Sequence, residues 1–175
     1  ARSLLLRVTR NCPWNHCTFC PVYKGARFSV RPVVHILRDI DAVYEASQHL
    51  RGQSSEPALT APAGGDPRAW AAARNWARYG RSQVFLQDAN SLVVDPGDLL
   101  VILRHLKARF PEMTRITSYA RSGTIANLDA GALSDLRGAG LSRIHIGMES
   151  GANEVLKMVR KGATQRLHIR AGLKV

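Results

Sequence analysis

All three cysteines of the 175-residue chain lie in one short stretch near its start. They are Cys12, Cys17 and Cys20, so their spacing is Cys-x4-Cys-x2-Cys. A structural zinc site takes four protein ligands, and a cubane iron–sulfur cluster has four irons to be capped. Because the chain has no fourth cysteine, three thiolates on one loop can hold such a cluster and leave one iron open for another ligand.

The composition limits the possible cellular compartments and the possible classes of binding partner. An odd number of clustered cysteines argues against a secreted disulfide framework and indicates metal chemistry in a reducing cytoplasm. No apolar run approaches the length of a membrane span, so no membrane partner is expected. The net charge of +12 comes from basic residues scattered along the chain, which makes nucleic-acid binding a minority hypothesis.

An alternation of strand and helix patterns positions the cysteine loop. The predicted strands are 3–9, 83–87, 115–119 and 143–148. One predicted helix begins at Pro32, and the others span 67–79, 96–110, 129–137 and 153–160. Residues 51–66 are rich in Gly, Ser, Pro and Ala and are predicted to form a flexible loop. This succession predicts four strand–helix units around a parallel sheet, formed as one domain over residues 1–175.

Each predicted strand is followed by polar or charged residues that could bind a ligand or a metal. The cysteine loop follows the first strand, and the later strand ends carry Asp88, Asn90, Ser91, Ser118, Arg121, Ser122, Glu149 and Ser150. The carboxyl ends of parallel strands in an α/β barrel open on one face, where sites are built. The four strand ends therefore predict one shared site.

With these features the chain resembles the radical S-adenosylmethionine (radical SAM) superfamily. The resemblance rests on the cysteine loop after the first strand, with Phe19 just before the last cysteine, and on the strand–helix succession. It also rests on segment 144–151 (IHIGMESG) followed by 154–162 (EVLKMVRKG). This segment is similar to the fourth-strand signature of B12-associated, coproporphyrinogen-oxidase-like and methylthiotransferase-like members.

The resemblance implies an α/β fold, a partial (β/α)6 TIM-like barrel of parallel strands. Residues 1–175 would be its core domain with the first four β/α units, and the chain is expected to be truncated after the fourth. Residues 164–175 are then expected to begin a further unit. Substrate specificity in similar enzymes usually lies in later strands and added domains, so no substrate is named.

The resemblance also implies the chemistry. Cys12, Cys17 and Cys20 would hold a [4Fe-4S] cluster, and the open iron would take S-adenosylmethionine (SAM). Reductive cleavage of SAM would release a 5′-deoxyadenosyl radical that abstracts hydrogen from the substrate, with electrons from a reductant such as flavodoxin or ferredoxin. The residues implied as cofactor contacts are Phe19, Asp88, Asn90, Ser118, Arg121, Glu149 and Lys161.

Two features depart from the family pattern. The common spacing is Cys-x3-Cys-x2-Cys, which is one residue shorter in its first gap. The usual Gly-Gly-Glu-type segment after the second strand is replaced here by residues 87–91 (QDANS). The contact to the SAM amino group therefore stays open, with Asp88, Asn90 or Ser91 as candidates.

Two other classes of protein stay open as alternatives. One is a non-catalytic iron–sulfur electron-transfer protein, although ferredoxin-like domains usually supply four cysteines on a small fold. The other is a zinc-binding protein that uses the three cysteines and either His16 or a distant histidine. Because His16 directly precedes Cys17, both could reach one metal only with strain.

Overall fold

The computed structural model describes residues 2–51 and 60–175, with a parallel sheet at the centre. Four strands, β1 (Leu4–Arg7), β4 (Gln83–Gln87), β5 (Arg115–Ala120) and β6 (Leu141–Ile146), lie side by side in that order. A second sheet is the antiparallel pair of β2 (Thr9–Arg10) and β3 (Ser29–Val30), which flank the cysteine loop. Within the described residues the four-stranded sheet stays open and does not close into a barrel.

Three long helices cover one face of this sheet. Helix α1 (Val33–Arg51) contacts α2 (Pro67–Ala77), α3 (Pro96–Arg109) and β1. The second and third of these helices begin at aspartate N-caps, each followed by proline in the first turn, as helix starts favour. Four shorter helices follow along the chain: α4 (Ser122–Asn127), α5 (Ala130–Gly138), α6 (Asn153–Met158) and α7 (Gln165–Lys174).

The two faces of the sheet differ in their cover. On β1, β4 and β5 the strand residues facing the helices are at most 4 % exposed, and they include Leu4, Leu6, Val84, Leu86 and Ile116. Successive strand residues point to opposite faces, so their neighbours form the other face. There Leu5 is 47 % exposed and Tyr119 49 % exposed. The Tyr119 ring meets Phe85 at 4.9 Å and His145 at 5.6 Å between centroids. We call this side the open face.

The structure confirms the predicted α/β class with parallel strands and most of its elements. The second strand has the predicted bounds, and the third is one residue longer than predicted. The fourth begins at Leu141, two residues before the predicted start, and the first ends at Arg7. Helix α1 continues through Arg51, so this residue is helical and does not begin the predicted 51–66 loop.

Two stretches of the chain differ more from prediction. Residues 164–175 do not begin a new strand–helix unit, because they form the Thr164 N-cap and helix α7, which packs on α4. Helix α4 itself was not predicted. Of the predicted flexible loop, residues 52–59 lie outside the described residues, and residues 60–66 form bends and turns before α2. Among the described helices, none has the length and apolar character needed to cross a bilayer.

Candidate functional site

Asp88 holds the base of the cysteine loop from the end of β4. Its Oδ2 accepts a hydrogen bond from the backbone N–H of Asn11 at 3.0 Å, directly before Cys12. Its own N–H donates to Thr9 Oγ1 at 3.3 Å, and Arg7 Nε lies 3.5 Å from the carboxylate. The Asp88 side chain is 12 % exposed. The structure therefore brings this predicted site residue to the first cysteine, where it supports the loop.

The loop is also closed by contacts within itself. Asn15 Nδ2 donates to the backbone oxygens of Tyr23 and Ala26. The N–H of Cys20 donates to the Cys17 carbonyl at 3.4 Å, which forms a tight turn between the second and third cysteines. Cys17 is buried, Cys12 and Cys20 are partly exposed, and all three carry free thiols.

Tyr23 reports how closely the groups of this loop approach one another. Burial is the largest cause that raises the pKa of its phenol, and the negative charges of Asp88, Cys12 and Cys20 raise it further. Arg7 acts in the opposite direction. Tyr23 therefore stays a neutral hydroxyl beside two of the cysteines and the supporting carboxylate.

The chemistry of this donor set fits an iron–sulfur cluster. Thiolates are the soft ligands that such clusters take, and each of three thiolates binds a different iron. Their sulfurs therefore do not need to converge on one point. Over residues 2–51 and 60–175, no three His, Cys, Asp or Glu side chains converge as ligands of a single metal ion would. His16 is exposed, and its ring contacts the edge of Trp14 at 5.0 Å.

Lys161 and Glu149 form the charged part of the site. Lys161 Nζ donates to Glu149 Oε1 at 2.9 Å, with the lysine side chain 10 % exposed and the glutamate 38 % exposed. The same ammonium lies 6.0 Å from the ring centroid of Phe19, next to the third cysteine. Three predicted site residues therefore meet at one place, although Phe19 is far in sequence from the other two.

Gly147 makes the room in which this ion pair lies. A Cβ at this position would lie 3.2 Å from Lys161 Nζ and 3.4 Å from Glu149 Oε1. Such distances are tighter than ordinary van der Waals contact, so a side chain here would push the pair apart. Glycine at the end of β6 therefore lets the ion pair lie close to the backbone.

Arg121 contacts the site from the end of β5. Its Nη2 donates to the carbonyl of Lys161 at 2.8 Å, and its guanidinium lies 5.0 Å from the ring centroid of Trp14. It therefore links the cysteine loop and the segment that carries Lys161. Of the predicted site residues, Arg121 is thus the one whose guanidinium contacts both of these segments.

Two predicted cofactor contacts lie apart from this group. Asn90 is 1 % exposed, and both ends of its amide are used, by the Arg121 N–H and by Thr124 Oγ1. Ser118 is fully buried, because its register with Leu86 places it on the helix-covered face. Its hydroxyl donates to the carbonyl of Tyr119. The sequence placed Ser118 at a strand end but could not tell which face it takes.

His168 and Trp14 are parts of the region that sequence reasoning missed. His168 is 8 % exposed, its Nδ1 lies 2.5 Å from Ser122 Oγ, and its buried Nε2 has no partner among the described residues. Burial is the main cause that lowers its pKa, followed by Lys161, whereas Glu149 opposes the change. His168 belongs to no recognisable sequence motif. The only sequence signal for Trp14 is its position between the first two cysteines.

A family comparison covers nearly the whole chain. The sequence model described as the Radical SAM superfamily matches residues 6–172. No curated protein sequence matches the chain significantly.

Solved structures provide a comparison of the fold. One is the cobalamin-dependent S-adenosylmethionine radical enzyme OxsB with aqua-cobalamin and S-adenosylmethionine bound, at 20 % identity and a TM-score of 0.60. That match covers 97 % of this chain and 21 % of the other. OxsB with aqua-cobalamin bound matches at 19 % identity and a TM-score of 0.60, over 95 % of this chain and 21 % of that one. The chain thus spans about a fifth of the length of the structures it matches, which it resembles in fold.

Proposed function

We propose, since the chain belongs to the Radical SAM superfamily, that it is the core of a radical SAM enzyme whose cluster is held by Cys12, Cys17 and Cys20. One observation links the proposal to particular residues of this chain. Phe19, beside the third cysteine, lies 6.0 Å from the ammonium of Lys161, which is paired with Glu149. The thiols and an ion pair thus lie at the carboxyl end of the parallel strands, as a site for a charged cofactor requires.

When bound, the [4Fe-4S] cluster and SAM would supply the reductive cleavage that gives a 5′-deoxyadenosyl radical for hydrogen abstraction. The protein's part is to bind, orient and shield these groups. Asp88 holds the first cysteine in place through the N–H of Asn11. Cys17 is buried, so water has little access to that thiolate.

Each residue of the charged group has a role that suits SAM. The Lys161 ammonium would attract the carboxylate of SAM, because it is a buried cation with one partner oxygen on Glu149. The exposed part of the Glu149 carboxylate would accept hydrogen bonds from ribose hydroxyls. Phe19 is 48 % exposed, and its ring would cover the adenine face.

Asp88 is our candidate for the contact to the SAM amino group. Asn90 is buried with both amide ends bonded, and Ser91 is buried with its hydroxyl donating to the Leu86 carbonyl. Asp88 keeps a partly exposed carboxylate at the base of the cysteine loop, where it accepts from the N–H of Asn11. A carboxylate at this position can accept a hydrogen bond from an amino group, which is what the missing Gly-Gly-Glu-type segment would otherwise supply.

The remaining parts of the proposal concern the surroundings of the core. We propose that residues 1–175 form one radical SAM core domain acting on an unidentified substrate. A one-electron donor such as flavodoxin or ferredoxin would reduce the cluster, and the net charge of +12 would favour an acidic one. Three unpaired thiols suit a reducing cytoplasm.

Anaerobic reconstitution with iron and sulfide tests the proposal. We expect a brown protein with about four irons per chain and an absorption or electron paramagnetic resonance (EPR) spectrum that changes when SAM is added. A colourless chain that holds stoichiometric zinc would establish the zinc alternative. A cluster whose spectrum does not change when SAM is added would support the electron-transfer alternative.

A further inference from the structure

The turn that follows α6, residues 159–162, has every carbonyl oxygen bound from a distant part of the chain. The Val159 carbonyl accepts from the N–H of Thr18 at 3.0 Å, and the Arg160 carbonyl accepts from Trp14 Nε1 at 2.8 Å. The next two carbonyls both accept from Arg121 Nη2, at 2.8 Å and 3.4 Å. Two of these donors belong to the cysteine loop, so the loop and the 159–162 turn are directly joined.

The backbone of this turn is also fixed from within. The N–H of Lys161 donates to the Leu156 carbonyl at 2.9 Å, and the N–H of Arg160 donates to the Lys157 carbonyl at 3.0 Å. This is the pattern of a Schellman motif, with Arg160 in the left-handed region at φ 52°. Gly162 follows at φ 66°. With both its N–H and its carbonyl bound, Lys161 has little freedom in the direction of its side chain.

Trp14 packs directly on Gly162. A Cβ added to Gly162 would lie 2.5 Å from Cε2 and 2.6 Å from Cη2 of the Trp14 indole, and closer still to Cζ2. The other side of this contact is Arg121, whose guanidinium is 5.0 Å from the centroid of the Trp14 ring, within range of a cation–π interaction. The indole fits against the turn only because residue 162 is glycine.

We propose that Trp14 and Gly162 are positioning residues that set the place of Lys161 relative to the cysteine loop. The proposal rests on the proposed function, in which Lys161 binds the SAM carboxylate and the loop binds the cluster. Neither Trp14 nor Gly162 contacts the ligand in this scheme. Their contact fixes the separation between the two parts that do, and small displacements of positioning groups cost large factors in binding and rate.

The variant Gly162→Ala tests this with a matched control. Its Cβ overlaps the indole, so we expect the turn to move, iron content to stay at the wild-type level and SAM affinity to fall about tenfold or more. Gly80→Ala is the control, because Gly80 has a similar φ of 78° and nothing lies within 4 Å of an added Cβ. Affinity is read from the SAM-dependent EPR change of the reconstituted chain.

A double variant separates the contact from a general loss of structure. Trp14→Leu removes the ring, so we expect SAM affinity to fall about fivefold and Gly162→Ala to add no further loss in that background. Additive losses in the double variant, or a Gly162→Ala chain that binds SAM as tightly as Gly80→Ala, would overturn the proposal. If Gly162→Ala does not fold, the Trp14→Leu chain alone must retain iron and bind SAM more weakly, and wild-type affinity there would refute the proposal.

Amide hydrogen exchange gives a readout that needs neither cluster nor SAM. The Thr18 N–H donates to Val159, so its exchange should quicken in Gly162→Ala and stay unchanged in Gly80→Ala. If the wild-type chain binds neither iron nor SAM, the proposed function fails while this measurement still decides whether the contact holds the loop. Equal Thr18 exchange in both variants would show that it does not.

Discussion

The helix-covered face of the sheet and the cysteine site at the carboxyl end of its strands are held together by different forces. The face is a continuous apolar core in which Leu86, Ile102 and Leu103 are fully buried. The site depends instead on polar bonds between residues far apart in sequence, such as Asp88 to Asn11 and Trp14 to Arg160. Stability and ligand binding should therefore respond to separate sets of substitutions.

Substitution of a cysteine should have the largest effect on cluster binding and almost none on the stability of the fold. We expect Cys17→Ser to lose essentially all bound iron after reconstitution, because a hydroxyl is a poor ligand for an iron–sulfur cluster. The melting temperature of the iron-free chain should change little, since a serine side chain has nearly the same shape. Iron analysis and thermal denaturation measure the two properties. Retention of a full cluster in this variant would remove Cys17 from the ligand set.

Truncation of the core should show the reverse behaviour. Leu86→Ala is expected to lower the free energy of unfolding by about 2–5 kcal/mol through lost burial and a cavity. Leu5→Ala is the matched control, because Leu5 lies on a neighbouring strand but is 47 % exposed on the open face. Urea denaturation should show a much smaller change there. Equal losses in the two variants would contradict the distinction between the faces.

The ion pair should affect SAM and leave the cluster intact. Lys161→Met is expected to weaken SAM binding about tenfold, because a charge-assisted bond to the carboxylate is lost. The control is Lys157→Met, since Lys157 is an exposed lysine four residues earlier on α6. Iron content should match the wild type in both variants. Equal SAM affinity in the two chains would exclude Lys161 from the cofactor site.

His168 should give the smallest effect, through pH. Burial lowers its pKa below the ordinary value of 6.5, so the folded chain binds fewer protons at this site than the unfolded chain. The contribution of His168 to stability is therefore complete above that value and declines as the pH falls below it. In His168→Gln, the loss of unfolding free energy between about pH 8 and about pH 5 should be smaller than in the wild type. An equal loss would mean that His168 does not titrate in this way.

Much of the fold follows from local patterns in the sequence. The second strand has its predicted bounds because the run 83–87 is short, is apolar at its centre and follows a glycine turn. Helices α2 and α3 begin where an aspartate precedes a proline. The cysteine spacing alone identified the loop. These features are encoded within a few residues of where they act, so no tertiary information was needed.

The parts that escaped prediction depend on contacts between distant residues. Ser118 and Tyr119 are adjacent, yet the strand register sends one into the helix layer and the other to the open face. Asn90 has the chemistry of a ligand contact, but Thr124 and the N–H of Arg121 already bond its amide. Helix α7 was missed because its sequence is polar on average, and in the structure it packs on α4.

The bond from Trp14 to Arg160 has a consequence for the order of folding. It joins residues 146 positions apart, and the neighbouring Thr18–Val159 bond spans nearly as much of the chain. Contacts of such high sequence separation carry a large loop-closure cost unless the intervening chain is already compact. We therefore expect the cysteine loop to be fastened after the core has formed. On that order of events, the thiols of a newly made chain would still be accessible for metal delivery when its core is complete.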